Sequence, residues 1–508
     1  MSNQFNVVRG LVIYGTCLVL AIFLGILLAT PENRETLMVV GLVFGVLALP
    51  LVMRWHHPLL VLSWNLSAVA FFLPGDLQLW MLMTGVSLGI SIFQRALNRG
   101  IKFMSAGSVI LPLIVLAVVV LGTAHLTGGI SFRAAGSGTY GGKRYLMVLL
   151  GIVGFFALIA RRIPVADAGR YVGLYFLAGI TAAIANLVTV VNPSYYFIFL
   201  LFPPDLTAFQ EAGNLTGRNI GRLGGLGAAA SYIFYFLLAC YGIRGLAGLR
   251  NFWRSSLLIL LVILGLLGGF RSILISMILV FAFVFYFEGL LRTRYLPILI
   301  VGLIMVAAVV LPFMSQLPLS VQRTFSFLPI RVDSVVAADA QDSTEWRLRM
   351  WKLLLPEVPN YLWLGKGYAI RGDDLELAQN LVMSGRGDTA EVAMLAGDYH
   401  SGPLSVIIPF GIFGALAFLW FLGASGWAFY RNYRYGEPEL KRINTLLLAC
   451  FLMRTVMFFG VVGALNYDLF AFTGLIGLSI SLNGGIKTPP VKTTPVVGFR
   501  KDRRVIPG

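Results

Sequence analysis

The sequence predicts an all-α polytopic membrane protein with about 12–14 transmembrane helices and one large helical loop on the outer side. Three observations carry this. Hydrophobic residues make up 58% of the 508-residue chain and charged residues only 12%, against about 25% charged in ordinary soluble domains. Apolar stretches of about 17 residues or more recur along nearly the whole length, each able to cross a hydrocarbon core of about 30 Å. Basic residues flank those stretches, so the net charge of +17 is the mark of membrane orientation and excludes a nucleic-acid partner.

In chain order the expected spans are 10–29, 37–53, 58–74, 77–94, 106–123, 145–160, 171–190, 223–243, 255–269, 272–288, 295–313, 403–430, 443–463 and 466–482, fourteen in all. The first has no small-x-small cleavage site after it and reads as a retained helix rather than a signal peptide. Cys17, Cys240 and Cys450 lie inside spans and offer neither a disulfide framework nor metal-ligand spacing. With the N-terminus inside, 23 basic residues fall on inner segments and seven on the short outer loops. That asymmetry predicts N-in, C-in and an even span count. The chain divides into an N-terminal scaffold (1–210), a core with outward arginines (211–313), the outer loop (314–402), C-terminal helices (403–485) and a Lys/Arg-rich tail (486–508) expected to be disordered.

A connection as long as 314–402 is uncommon unless it is functional or disordered. This one carries helix signals. Asp342-Ser-Thr-Glu345 reads as a capping box, followed by Trp346, Met350, Leu353 and Leu354 at helical spacing up to Pro356. Further helices are expected from Asp373 to about Met383, stopped by Gly385, and from Thr389 to about Leu395, stopped by Gly397. A structural cap without chemistry would have the same composition.

Positive charge also sits where the orientation rule disfavours it. Arg218 and Arg222 precede the helix expected near 223. Arg271, in Gly-Gly-Phe-Arg271-Ser, opens the helix near 272, and His400, in Tyr-His400-Ser-Gly-Pro403, precedes the helix near 403. Ser401 is a cap there and Pro403 a first-turn residue. All three helices run from outside to inside, so their positive dipole ends face outward. A cation at such an end is unfavourable unless an anion joins it. Helix N-termini and arginine forks both suit phosphate oxygens. The expectation is an outward site for a phosphate-bearing substrate, with His400 as a candidate general base. Each residue alone has a plainer reading: a juxtamembrane Arg as a solvated anchor, a loop His as inert.

Arg454 lies midway along a span, where a charge faces a cavity or a partner; Asp468 and Glu345 are the candidate partners. Gly136-Ser-Gly-Thr-Tyr-Gly-Gly-Lys143-Arg144 fails the P-loop pattern at the first glycine and the final Ser/Thr. Gly365-Lys-Gly367 is too short to mean anything alone. Neither a His-Glu-x-x-His helix nor a Cys/His cluster suggests zinc, although Asp373, Asp374 and Asp388 are acids that could recruit a cation.

Read in order, several segments over about 215–430 resemble the O-antigen ligase / Wzy-type O-antigen polymerase superfamily. They are Arg218-Asn-Ile-Gly-Arg222-Leu-Gly-Gly, Gly-Gly-Phe-Arg271-Ser272, Glu345-Trp-Arg347-Leu-Arg349-Met-Trp351 with Trp363-Leu-Gly-Lys-Gly367, and His400-Ser-Gly-Pro-Leu-Ser-Val-Ile-Ile-Pro-Phe-Gly411-Ile-Phe-Gly414. Ser401 departs from the family, which often has Asn there. The resemblance implies a membrane-embedded, inverting, metal-independent glycosyltransferase of the bacterial inner membrane, acting in lipopolysaccharide or exopolysaccharide assembly. Its donor would be a glycan on undecaprenyl diphosphate, presented on the periplasmic side. Its acceptor would be lipid A-core for a ligase, or another lipid-linked saccharide for a polymerase. Arg271, Arg347, Arg349 and Arg218 or Arg222 would neutralise the diphosphate, with His400 at the acceptor hydroxyl and Glu345 and Arg454 in support. The leaving group is already a diphosphate, so no cofactor or ATP is implied.

Two other functional classes compete. A transporter or flippase for lipid-linked saccharides would show repeat symmetry and polar midplane residues; the chain has no convincing repeat, and only Arg454 is clearly mid-span. A peptidoglycan-type glycosyltransferase would centre on a loop acid, here Asp342, Glu345, Asp388 or Asp398. A purely structural membrane subunit would leave the outward arginines unexplained.

Overall fold

The computed structural model describes residues 34–489 apart from 74, 76, 99, 101–102, 132–138, 192, 205–221, 248–251 and 385–386, together with scattered positions between 15 and 25. The described residues are 79% helical, with two small antiparallel strand pairs and no larger sheet among them. Lipid dictates this, since helices satisfy their backbone polar groups within one segment. Nine helical segments among the described residues are long and apolar enough to cross a membrane, and two shorter apolar helices join them.

The first part of the chain departs from the expected spans in two places. α1 (Arg34–Ser63) is two helices joined at a kink at Trp55, where the expected 37–53 and 58–74 divide, and the second ends earlier than expected. Beyond Ser63 the chain leaves the helix, and β1 (Val69–Ala70) pairs with β2 (Leu77–Gln78) before α2 (Leu79–Leu97). Trp64 explains the break: it is wedged against Gly154 and Gly474 and donates to the Phe470 carbonyl at 3.1 Å. After α3 (Gly107–Thr127), β3 (Thr139–Tyr140) and α4 (Gly142–Ile159), the expected 171–190 helix is likewise two pieces, α5 (Ala168–Leu177) and α6 (Ala182–Val191), joined by a 3₁₀ turn. Most of the expected 10–29 span falls outside the described residues, its described positions between 15 and 25 being helical, as does most of the tail.

α7 (Gly224–Leu246), α8 (Phe252–Leu267), α9 (Arg271–Phe287) and α10 (Tyr295–Val310) follow the expected order. α10 has no buried residue, and an apolar helix open on all sides is stable only against lipid. In the loop, α11 (Leu319–Phe325) comes first. α12 (Ser334–Leu354) begins well before the expected capping box: Asp333 is the true cap, its carboxylate accepting from the Val335 amide at 2.9 Å. Asp342 and Glu345 are therefore mid-helix. α13 (Val358–Tyr361), β4 (Ile370–Arg371), α14 (Gly372–Met383) and α15 (Thr389–Leu395) complete the loop, the last two within a residue of expectation. α16 (Gly402–Tyr435), α17 (Lys441–Gly460) and α18 (Leu465–Asn483) end the described chain. α18 is the centre of the bundle, with 83% of its apolar window buried. It packs on α4 through Gly151 against Phe470 and Gly477 against Leu158, the close small-residue approach that holds helices together in lipid.

α16 is broken at Gly411, where φ is +62°. The break frees backbone groups inside an apolar bundle, where each unpaired group is costly. The Leu364-Gly-Lys-Gly367 turn repairs it. Lys366 N donates to Ile408 O at 2.7 Å, Gly367 N to Pro409 O at 2.9 Å, and Ile412 N to Leu362 O at 2.6 Å. Gly365 sits at φ +77°, and a Cβ there would run into the Pro409 carbonyl. Gly365→Ala is expected to destabilise the protein by about 2 kcal/mol or more, read as a lower thermal midpoint in detergent; an unchanged midpoint would contradict this role for the turn.

Helix ends sort into two sets. Arg162 meets Glu437 at 3.4 Å, Lys487 meets Glu437 at 3.2 Å, and Tyr433 donates to Phe287 O at 3.0 Å, all between segments expected on the inner side. At the other end β3 pairs with β4, and Arg144 donates to Gly397 O at 2.8 Å. The long loop therefore packs on the turns at that end of the bundle.

Candidate functional site

Three segments expected to carry outward cations meet under the loop. The Gly268-Gly269-Phe270 turn between α8 and α9 leaves the Gly269 carbonyl facing α11. Arg323 of α11 donates to it from Nη1 at 2.8 Å. The same guanidinium donates from Nε to Asp339 Oδ2 at 2.5 Å, and Arg222 donates from Nη2 to Asp339 Oδ1 at 2.6 Å. One carboxylate on α12 thus ties the start of α7 to α11. Arg271, the first residue of α9, makes its one hydrogen bond among the described residues from Nη2 to Ser326 Oγ at 2.8 Å; its Nε is buried with no acceptor.

Arg347 completes the group. It lies two turns beyond Asp339 on α12, half-buried, with no hydrogen bond or ion pair to any described residue. Burial, and after it the neighbouring Arg323, pulls its pKa below the usual guanidinium value. Arg271 feels the charges of Arg323, Arg347 and Asp339. Arg222 and Arg323 both pair with Asp339, Arg271 feels that carboxylate, and Arg347 pairs with no carboxylate among the described residues, so positive charge outweighs negative here. Like charges held together this way are unfavourable until an anion joins them.

His400 stands beside this cluster. Its ring meets Trp346, the neighbour of Arg347, edge to face with centroids 5.1 Å apart. Its Nε2 is 3.6 Å from Asp398 Oδ2. The turn that carries it is anchored on both sides: Trp351 Nε1 donates to Tyr399 O at 3.1 Å, and Gly402 packs directly on the Phe458 backbone. His400 itself has φ +45°, the one non-glycine residue in the left-handed region among those described. Strain of this kind persists only where surrounding contacts over-determine it. Ser401 occupies the cap position of α16, but its hydroxyl caps nothing. Burial pushes the adjacent Tyr399 hydroxyl up to about 12, so it is no base at neutral pH.

The other expected site residues separate from this group. Arg349 is two positions from Arg347, hence on the far side of the helix, and lies 3.7 Å from Asp388 with 59% of its side chain exposed. Glu345 is exposed and accepts from Gln341 at 2.7 Å. It does not meet Arg454, whose partner is Asp468 at 3.5 Å. Arg218 lies outside the described residues. Arg323 and Asp339 were not anticipated from sequence, and Asp398 only as an acid for a different chemistry. Among the described residues no group of three or more His, Cys, Asp or Glu could hold a metal ion.

A cavity of about 460 Å³ opens below His400, between α7, α9, α17 and α18, and Asp398, His400, Arg454 and Asp468 all line it. Ser272 lines it too, next in sequence to Arg271 of the cationic cluster.

Residues 255–419 match a family model described as O-Antigen ligase. The resemblance read from sequence over about 215–430 is borne out over that stretch, which carries Arg271, Arg323, Arg347 and His400 and stops short of Arg454 and Asp468. No curated protein matches the chain. The family match supports surface polysaccharide assembly in general, with lipid-linked saccharides as the general substrate class. It also suggests a glycosyltransferase-like enzyme. Together with the nine apolar helices it supports a multi-pass membrane protein.

Proposed function

We propose that this protein transfers a glycan from undecaprenyl diphosphate to a saccharide acceptor on the periplasmic face of the bacterial inner membrane, as an inverting, metal-independent glycosyltransferase. The observation that carries this reading is the clustering of Arg271, Arg323 and Arg347, of which only Arg323 pairs with a carboxylate, beside His400. Such a cluster suits an anion that gains charge during reaction, because preorganised donors stabilise developing charge without reorganising. His400 takes the proton of the acceptor hydroxyl. The hydroxyl oxygen attacks the anomeric carbon from the face opposite the diphosphate. The bond from that carbon to the diphosphate oxygen breaks, and undecaprenyl diphosphate leaves with its electron pair, held by the guanidinium groups. Asp398 faces the imidazolium that forms. With both termini inside, as the distribution of basic residues predicts, this chemistry lies in the periplasm.

The surface glycan of a strain lacking the gene tests the reading. Lost attachment with lipid-linked polymer accumulating is the ligase result, and attachment of single repeats is the polymerase result. An unaltered surface glycan would overturn the proposal.

A further inference from the structure

The cationic cluster accounts for the donor's diphosphate but not for the cavity below it. Arg454 and Asp468 face one another there at 3.5 Å, deep in α17 and near the start of α18. Their side chains are 35% and 17% accessible, and both line the cavity. A guanidinium has five N–H donors. The one contact Arg454 makes with a described acceptor is this long one, so most of its donors are unspent. Asp468 gives Oδ2 to the Ala464 amide at 2.8 Å and keeps Oδ1 toward Arg454. Intramembrane charges are costly and generally face a cavity or a partner; these do both.

The chemistry of the cavity differs from that of the cluster above. The pair is neutral as a whole, so it does not call for an anion. It offers a strong acceptor and a strong fork of donors side by side. Ser272 and Tyr467 add hydroxyls to the lining. With apolar walls from Ile273, Met453, Met457 and Val462, these donors and acceptors fit the hydroxyl groups and apolar ring faces of a saccharide, and the carboxylates of Asp398 and Asp468 leave no call for an anion. The volume, about 460 Å³, lies within the range of about 300–1,000 Å³ usual for small-molecule sites. His400 and Asp398 line it as well, so a hydroxyl of a ligand seated there can reach the imidazole.

We infer that this cavity binds the acceptor saccharide, and that the Arg454–Asp468 pair recognises its hydroxyl groups. The inference rests on the transfer reading above and assigns its second substrate to a place. Arg454 and Asp468 are binding residues for the acceptor, while Arg271, Arg323 and Arg347 serve the donor.

The test uses the full-length protein in lipid nanodiscs, with the undecaprenyl-diphosphate-linked glycan fraction from the source bacterium as donor. Its lipid A-core and the same lipid-linked fraction are supplied in turn as acceptor. Asp468→Asn keeps the shape and removes the charge. Ala228→Trp fills the cavity from α7 and leaves both residues of the charged pair in place. Each is expected to raise the KM for acceptor by at least about tenfold, with the KM for donor unchanged. Acceptor KM left at the wild-type value, or donor and acceptor KM rising together, would overturn the inference, since a pair that only locks α17 to α18 has no reason to act on one substrate alone. Ala228→Trp decides the matter if Asp468→Asn does not fold. Wild-type protein that turns over neither pair of substrates refutes the transfer reading itself, and this inference with it. Wild-type turnover with both variants normal refutes this inference alone.

Discussion

His400→Ala is expected to lower the rate of glycan transfer by about 10²–10⁴-fold, the usual worth of a positioned general base, with the KM for donor nearly unchanged. The geometry separates the two effects. The imidazole lies between Trp346 and Asp398, lines the cavity between α7, α9, α17 and α18, and makes no hydrogen bond to the arginine cluster among the described residues. Its loss leaves the guanidinium groups in place. Alanine also suits the left-handed backbone at φ +45° poorly. Asn, which tolerates that conformation better, is the better control for strain. His400→Asn as inactive as His400→Ala places the loss in the imidazole. Either variant at wild-type rate, measured by product formation in folded protein, would remove His400 from the chemistry.

Arg271→Ala is expected to reduce kcat/KM for the donor by about 10²–10³-fold, the range seen when one donor to a developing anion is removed. Stability should change little, because Arg271 makes one hydrogen bond, to Ser326 Oγ, and relief from Arg323 and Arg347 offsets its loss. Arg271→Lys should recover part of the activity, since an ammonium restores charge but not the planar fork. Arg323→Ala is the contrasting case. It removes a partner of Asp339 and the donor to Gly269 O, so it should cost both activity and thermal stability. Titrating donor against each variant and following the melting midpoint separates the two. An Arg271→Ala enzyme with wild-type donor kinetics would contradict the assignment.

Much of the fold was legible because lipid leaves so few choices. Apolar runs must be helices, and the long loop carried its own stop signals at Gly397 and at Gly385, the latter outside the described residues. The failures have physical causes. Hydropathy does not register where the chain bends, so the Trp64 wedge and the α5–α6 interruption were invisible. The capping pattern at 342–345 is locally valid but lost to Asp333, from which the helix had already started. Arg349 could have been separated from Arg347 by helical geometry alone, since two positions point to opposite sides. Arg323 and Asp339 could not be found. Charges on the long loop say little about orientation, and a pair joining residues 222 and 339 has no signature in local sequence. Arg454 was legible as an anomaly, and its partner as one of two acids. The choice of Asp468 needed the packing of α17 on α18.

One measurement bears most directly on the central claim. Purified protein in nanodiscs is mixed with an undecaprenyl-diphosphate-linked glycan and a saccharide acceptor, with chelator present and no nucleotide added. The expected result is a lengthened or transferred glycan with free undecaprenyl diphosphate released in equal amount, and neither product from Arg271→Ala. Movement of intact donor across a sealed bilayer without either product would contradict the account and identify a transporter.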